Sequence, residues 1–367
     1  MAACRDFIVP TAAVLAALAG CANPPRPPAV DPDAVRAEIA RLLPPKVVNR
    51  QGWATDIFAA FEALKVPATP DHICAVMAVA EQESNLVVDP IVPGLPAIAR
   101  REIETRAASH GVPKLLVDAA LRIHSPNGLS YSERLDQART EKDLSELFED
   151  FIRMVPLGER LFGELNPVHT GGPMQVSIEF AEKHAKEKRY PYPVAGNIRG
   201  EVFTRRGGLY FGIAHLLDYP ASYDDMLYRF ADYNAGHYAS RNVAFQNALS
   251  VVSGTTLALD GDLLIHGSDA RTASKTELAA RKIASRIEMS DEQIRGDLER
   301  EDDASFEKTL VYSRVFTVAE KVKGRPLPRA IVPQIRLQSP KITRSLTTDW
   351  FARRVNERYE RCLARSR

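Results

Sequence analysis

Almost every periodic segment of this chain repeats its apolar residues at spacings of three and four, and that period restricts the fold class before any motif is considered. Trp53, Ile57, Phe61 and Leu64 form one such stripe, the pattern of a helix that buries one face. Asp71, directly after Pro70, reads as the N-cap of a helix running to about Ser84. Further helices are expected at 96–109, 114–124, 140–154, 177–187, 206–218, 223–232 and 238–250. Strand signals are few; 261–266 and 330–337 are the best, and both are short. The sequence carries no internal repeat at a fixed period. A mainly α protein is expected.

Composition narrows the function classes. A length of 367 residues suits two domains, or one with long elaborations, and 45% hydrophobic residues exclude wholesale disorder. With 48 basic against 47 acidic residues, the chain lacks the basic excess of a nucleic-acid binder. Beyond the N-terminus no stretch reaches the ~18 consecutive apolar residues of a membrane span.

The N-terminus reads as an address. Arg5 precedes an apolar run from Phe7 to Leu18, too short to span as a mature helix, so residues 1–20 are expected to be an export signal. The run closes with Leu18-Ala19-Gly20-Cys21, which resembles the lipobox of bacterial lipoproteins. That resemblance implies lipidation at Cys21; an ordinary secretory signal cleaved near Ala19 is the alternative. Ala22, where Asp would retain a lipoprotein at the inner membrane, implies the outer membrane, with the body facing the periplasm. Residues 21–45, with Pro24, Pro25, Pro27, Pro28 and Pro32, read as a semi-rigid tether. Cys74 and Cys362 remain in the mature body, paired in an oxidising periplasm or unpaired; the sequence leaves both open.

Near residue 255 the texture changes, dividing a body at 46–255 from a charged, mainly helical region at 256–367. Acidic residues cluster at 298–304, and Ser290 with Gln293 looks like a capping box. Residues 341–367 hold eight basic side chains against three acidic ones. They are expected to form a solvated amphipathic helix with Trp350, Phe351 and Val355 on its buried side, the sharper alternative being a membrane or cell-wall contact.

Common catalytic spacings are missing: there is no nucleophile elbow, Walker loop, dinucleotide fingerprint or His-Glu-x-x-His. The scattered His residues have no partner at metal-ligand spacing, so no metal and no cofactor is expected. Three other segments carry chemistry. In Glu81-Gln82-Glu83-Ser84-Asn85, the stripe through Ile73, Val76 and Ala80 leads to Glu83, with Glu81 about 160° around the helix. Desolvation and the negative end of the helix dipole are both expected to raise the pKa of a carboxyl group there, as a proton donor at neutral pH requires. In Gly171-Gly172-Pro173-Met174-Gln175, two glycines permit close backbone approach, while Met174 and Gln175 offer an apolar contact and an amide. In Tyr233-Asn234-Ala235-Gly236, Gly236 fits an αL cap that would project Tyr233 and Asn234 into a cleft. Taken singly, each has a plain structural reading: a surface Glu, a turn, a helix cap.

In order, Glu83-Ser84, Gly172-x-Met174-Gln175 and Tyr233-Asn234-Ala235-Gly236 resemble the soluble lytic transglycosylases, whose lysozyme-like helical core cleaves peptidoglycan. The resemblance covers roughly residues 50–250, taken as a domain-sized span, and extends to Asn197-Ile198 and Gly208-Leu209-Tyr210. The whole chain is similar to a family of bacterial lipoproteins built on this core. By resemblance, Glu83 is the catalytic acid and base, and Ser84, Gly172, Met174, Gln175, Tyr233 and Asn234 bind substrate. The implied substrate is the β-1,4 bond between N-acetylmuramic acid (MurNAc) and N-acetylglucosamine (GlcNAc) in peptidoglycan strands, and the product a 1,6-anhydro end. The chain departs from the pattern twice: Pro173 stands where the family has Leu, and Gln175 follows Glu83 by 92 positions. Residues 86–165 therefore read as a large helical insertion that could gate the groove, bind a partner, alter glycan-length preference or disable the site; a cell-envelope protein partner could dock on it or on the C-terminal region. The competing expectations are a lysozyme-like lipoprotein that binds peptidoglycan or a partner without cutting it, and a muramidase that uses water.

Overall fold

Most of the described helices begin where a short polar side chain satisfies a backbone N–H. Thr69, Ser177, Thr204, Asp225 and Ser274 each accept from the amide two or three residues on, which supplies one of the orphan donors of a helix start. The computed structural model describes residues 31–154, 166–267, 272–337 and 345–366. The expected export signal 1–20, the lipidation site Cys21, residues 21–30 of the Pro-rich tether and the end of the 86–165 insertion lie outside the described residues; of the rest of the expected tether, Pro32–Leu42 is a helix with Ile39 and Leu42 buried and not an extended spacer.

Helices α1 (Pro32–Leu42), α2 (Arg50–Leu64) and α3 (Pro70–Ser84) lead the chain. α3 is capped by Thr69 rather than Asp71, because Pro70 takes the first helical position; Asp71 sits in the first turn, where its charge favours the dipole. The described part of the insertion is helical: α4 (Leu95–Ser109), α5 (Lys114–Leu121), α6 (Tyr131–Gln137) and α7 (Glu141–Arg153). A two-stranded antiparallel hairpin follows, β1 (Thr170–Gly171) with β2 (Val176–Ser177), Thr170 opposite Ser177. After it come α8 (Ile178–Glu187), α9 (Ile198–Val202), α10 (Arg205–Leu217), α11 (Met226–Ala235) and α12 (Ala239–Ser253). Then follow α13 (Lys275–Lys282), α14 (Asp291–Leu298), α15 (Leu310–Lys323) and α16 (Thr348–Ser366). The protein is mainly α; the helices expected from the sequence periods are present to within a few residues, whereas α1, α6, α9, α13 and α15 had not been singled out.

The two expected strands are absent. Residues 261–266 and 330–337 join no sheet: apart from an isolated antiparallel bridge between Arg336 and Thr347, the amides described go to side chains and loops instead of a ladder. Leu263 N donates to the Glu301 carboxylate, Ile331 N to Ser240 O, and Gln334 N to Leu259 O. Short apolar runs, Leu263-Leu264-Ile265 and Ala330-Ile331-Val332, produced the misleading signal.

Two apolar cores form. The first packs α2, α3, α10 and α11 around residues such as Phe61, Val79, Phe211 and Phe230. The second joins α12 to α13, α14 and α15 through Phe245, Ile294, Phe306 and Phe316. Residues 256–367 divide between them: α13–α15 build the second core, while α16 returns to the first and lies against α3 and α11. Phe351 and Val355 are buried and Trp350 is half-buried, and basic residues on the other face pair along the helix, as Arg353 does with Asp349. A disulfide between Cys74 and Cys362 fastens α16 to α3 across 288 residues of chain. Closing so long a loop restricts the unfolded chain strongly, and it fixes the helix that carries Glu83 in its last turn.

Candidate active site

α3 stops just past Glu83 because Asn85 and Leu86 both turn to positive φ (54° and 61°), and their amides cap back onto Glu81 O and Ala80 O. Glu83 is half-buried at this end. Ser84 was expected to hold a sugar amide and does not. Its side chain is buried, and its hydroxyl lies 2.7 Å from Pro173 O and 2.9 Å from Ala80 O. It ties the end of α3 to the glycine turn that follows β1, and so sets where Glu83 stands relative to that turn.

The glycines of that turn serve packing. A Cβ on Gly172 (φ +72°) would lie 2.2 Å from the Val202 carbonyl oxygen, and one on Gly171 would enter the Phe203 ring. From the other side, a Cβ on Gly208 would meet Pro173 at 2.4 Å. The turn and the start of α10 therefore approach backbone to backbone. Met174 is fully buried, filling the space left by Gly212. Gly172 and Met174, both expected to touch substrate, instead hold the wall in place. Gly172→Ala is expected to destabilise the protein by about 2–4 kcal/mol, combining left-handed strain with overpacking; denaturant unfolding measures it.

Gln175 does reach the open side. Its backbone is left-handed (φ 49°), and its side chain is steadied by Thr170 Oγ1 at 3.2 Å and Gly172 O at 3.3 Å. On α11, the Tyr233 hydroxyl donates to Met174 O at 2.7 Å, and Asn234 Oδ1 accepts from Thr348 Oγ1 at 2.9 Å. Burial, together with the charge of Glu83, pushes the Tyr233 phenol well up, so it stays a neutral donor. Gly236 ends α11 at φ 110°, ψ 150°, a region open essentially to glycine alone and distinct from the expected αL cap. Glu83, Gln175, Tyr233 and Asn234 line one cleft of about 980 Å³.

The cleft floor holds residues that no motif indicated. His215 stacks on His237 at 4.5 Å, His237 on Tyr219 at 4.1 Å, and Phe180 packs on His215 at 4.6 Å. His237 Nε2 donates to His215 O, and His215 Nε2 faces Tyr233 O at 3.3 Å. Burial, and secondarily His237, lowers the His215 pKa to about 3, so its ring is neutral at physiological pH. Among the described residues no three His, Cys, Asp or Glu side chains converge on a point suited to a metal ion. One residue before Tyr233, Asp232 is fully buried and accepts from the Tyr219 and Tyr223 hydroxyls and from Ser240 N. Scattered single residues of this kind leave no period or spacing to detect in one sequence.

The neutral His215 has a consequence for acid stability. The unfolded chain takes up this proton near pH 6.5 and the folded chain only near 3, so folding loses stability as pH falls between the two. The loss is up to about 1.4 kcal/mol per pH unit. Urea unfolding from pH 7 to 4 is expected to show a shallower acid limb for His215→Phe than for the wild type, by about that slope.

Comparisons with known proteins agree on the length of the relationship. The chain is similar to a protein of Escherichia coli (strain K12) described as "Uncharacterized protein YaiW", with 54% identity over 352 residues, 94% of this chain and 95% of the relative. No solved structure matches. The family described as "Protein of unknown function (DUF1615)" matches residues 46–365, which takes in both cores, the cleft and the returning helix α16, and the chain belongs to that family.

Proposed function

We propose that this protein is a peptidoglycan lytic transglycosylase built on a lysozyme-like helical core, with Glu83 as its single acid and base. The observation that carries the reading is the convergence of Glu83, Gln175, Tyr233 and Asn234, from three distant segments, on one cleft. One carboxyl group suffices for this reaction. Glu83 protonates the glycosidic oxygen, and the C1–O bond to MurNAc breaks as the acetamido oxygen of that sugar shields C1. Glu83, now a carboxylate, removes the proton of the 6-hydroxyl as that oxygen bonds to C1. The products are a 1,6-anhydroMurNAc end and a GlcNAc bearing the new 4-hydroxyl; no water is consumed. Tyr233 keeps the carboxyl group's surroundings apolar and neutral, while Gln175 and Asn234 meet the sugar amides. Ser84, Gly172 and Met174 act by holding the wall that carries Gln175.

We further propose that the chain is lipidated at Cys21 and stands at the outer membrane facing the periplasm, its tether letting the cleft reach glycan strands. Among the described residues no helix is long and apolar enough to cross a membrane. The decisive experiment is digestion of purified sacculi followed by mass analysis of the muropeptides. Anhydro ends uphold the proposal. Reducing ends indicate a muramidase that uses water, and intact strands a protein that binds without cutting.

A further inference from the structure

The fold brings against the cleft a group that lies outside every motif. Asn234, near the end of α11, is half-buried and lines the cleft. A side-chain amide keeps almost the same shape after a half-turn, so an unanchored Asn can offer a cavity either its oxygen or its N–H pair. Here the oxygen is taken: Oδ1 accepts the hydroxyl hydrogen of Thr348 at 2.9 Å, across 114 positions of chain. Among the described residues Nδ2 donates to no partner, and it is not among the polar atoms sealed in the interior. The amide nitrogen is the half of the group that remains for a ligand.

Thr348 is itself held on several sides. It is fully buried in the first turn of α16, and its backbone N–H donates to Ile335 O at 3.0 Å. The bridge between Arg336 and Thr347 pins the entry to the helix. α16 lies against both α3, which carries Glu83, and α11, which carries Asn234. The Cys74–Cys362 disulfide and the Tyr359 hydroxyl, which donates to Asp71 Oδ1 at 2.9 Å, tie it to α3. The Tyr359 ring meets Phe230 of α11 edge-on at 5.6 Å. The Thr348 hydroxyl therefore stands at a fixed point relative to both walls.

We propose that Thr348 is a positioning residue for the cleft: it holds the Asn234 amide so that the N–H pair faces the substrate and binds a carbonyl oxygen there. The assignment rests on the peptidoglycan reading of the cleft, whose acetamido sugars supply such an oxygen. It makes the returning helix α16 part of the binding machinery, although the motifs end at Gly236. Without the Thr348 hydroxyl, Oδ1 loses its donor and competes for the open side, where a substrate carbonyl would meet a second acceptor.

Two substitutions separate the hydroxyl from the packing. Thr348→Val keeps the shape and deletes the donor; Thr348→Ser keeps the donor and deletes a methyl group. Affinity for soluble glycan strands is measured on the full mature chain carrying Glu83→Gln, so that strands are bound and not consumed. Turnover is measured with Glu83 in place. Thr348→Val is expected to weaken binding about 3–10-fold, the effect of one hydrogen bond, and to raise KM by the same factor with kcat within about 2-fold. Thr348→Ser is expected to bind within about 2-fold of its parent. Once Asn234→Ala is present, Thr348→Val should weaken binding by less than about 2-fold more, because both changes remove one interaction. A residue that only packs gives the opposite order, Ser worse than Val, since a lost methyl leaves a void. That order overturns the proposal, as does parental binding by a folded Thr348→Val chain or full additivity with Asn234→Ala.

Asn234→Asp tests the orientation without touching Thr348. It keeps the oxygen that Thr348 holds and puts an oxygen where the N–H pair stood, so binding is expected to fall by about 10-fold or more; near-parental affinity overturns the proposal even if Thr348→Val does not fold. If strands bind but the wild type cuts none, the catalytic reading falls and the Thr348 comparison is decided on affinity. If the wild type releases anhydro ends and Thr348→Val leaves KM unchanged, the positioning role falls alone. Strands that neither bind nor are cut overturn both.

Discussion

Glu83→Gln is expected to lower the turnover of peptidoglycan strands by about 10²–10⁴-fold while the protein keeps its fold, the usual weight of general acid–base catalysis. The amide has the shape of the carboxyl group but neither a proton to give nor a basic oxygen to take one back. Both halves of the proposed reaction lose their catalyst together. The loss should therefore fall on turnover more than on binding, because Gln175, Asn234 and the rest of the cleft remain. Thermal unfolding of the variant checks that the packed end of α3, fastened through Ser84 and the Cys74–Cys362 disulfide, is intact. Release of anhydro-muropeptides, measured by mass, gives the rate. Activity within a few-fold of wild type in a folded variant would remove Glu83 from the chemistry altogether.

The residues that converge on the cleft were partly legible in the sequence, and the limits of that legibility have physical causes. Period-3.6 stripes announce helices because one side of each must face a core; α2, α3 and α16 were readable on that ground. Glu83, Gln175, Tyr233 and Asn234 were readable through motifs. The same motifs misled for Ser84, Gly172 and Met174, because a motif records that a residue type is required and not what requires it. Gly172 is needed where the Val202 carbonyl oxygen passes, a partner thirty positions away. The pairing of Cys74 with Cys362 depends on α16 folding back over α3, which no local pattern encodes. His184, His215, His237 and Asp232 were invisible for a related reason. Each is held by hydrogen bonds or ring contacts to other segments of the chain, and such contacts leave no repeat in the sequence. The segments 261–266 and 330–337 show the converse error, short apolar runs that belong to loops with side chains buried in a core.

Asp232→Ala is expected to destabilise the protein by about 3–5 kcal/mol, the usual cost of deleting one member of a buried, charged hydrogen-bond network. Three donors converge on this carboxylate: the hydroxyls of Tyr219 and Tyr223 and the backbone N–H of Ser240. Burial pushes its pKa up, and those same donors pull it back, so the group is held by its partners rather than by solvent. Removing it strands two phenols and an amide in the interior at once. Tyr219 and Tyr223 come from the segment that joins α10 to α11, whereas Ser240 begins α12 beyond the Gly236 turn. Asp232 is thus the clamp that makes the turn after Tyr233 and Asn234 a fixed structure. Asp232→Asn keeps the volume and one acceptor oxygen, and should cost roughly half as much on the same argument. Urea unfolding of the two variants separates this clamp from simple cavity formation, since a cavity alone would make Asn almost neutral. A loss below about 1 kcal/mol for Asp232→Ala would mean that the turn is held by its surroundings and that Asp232 merely fills space.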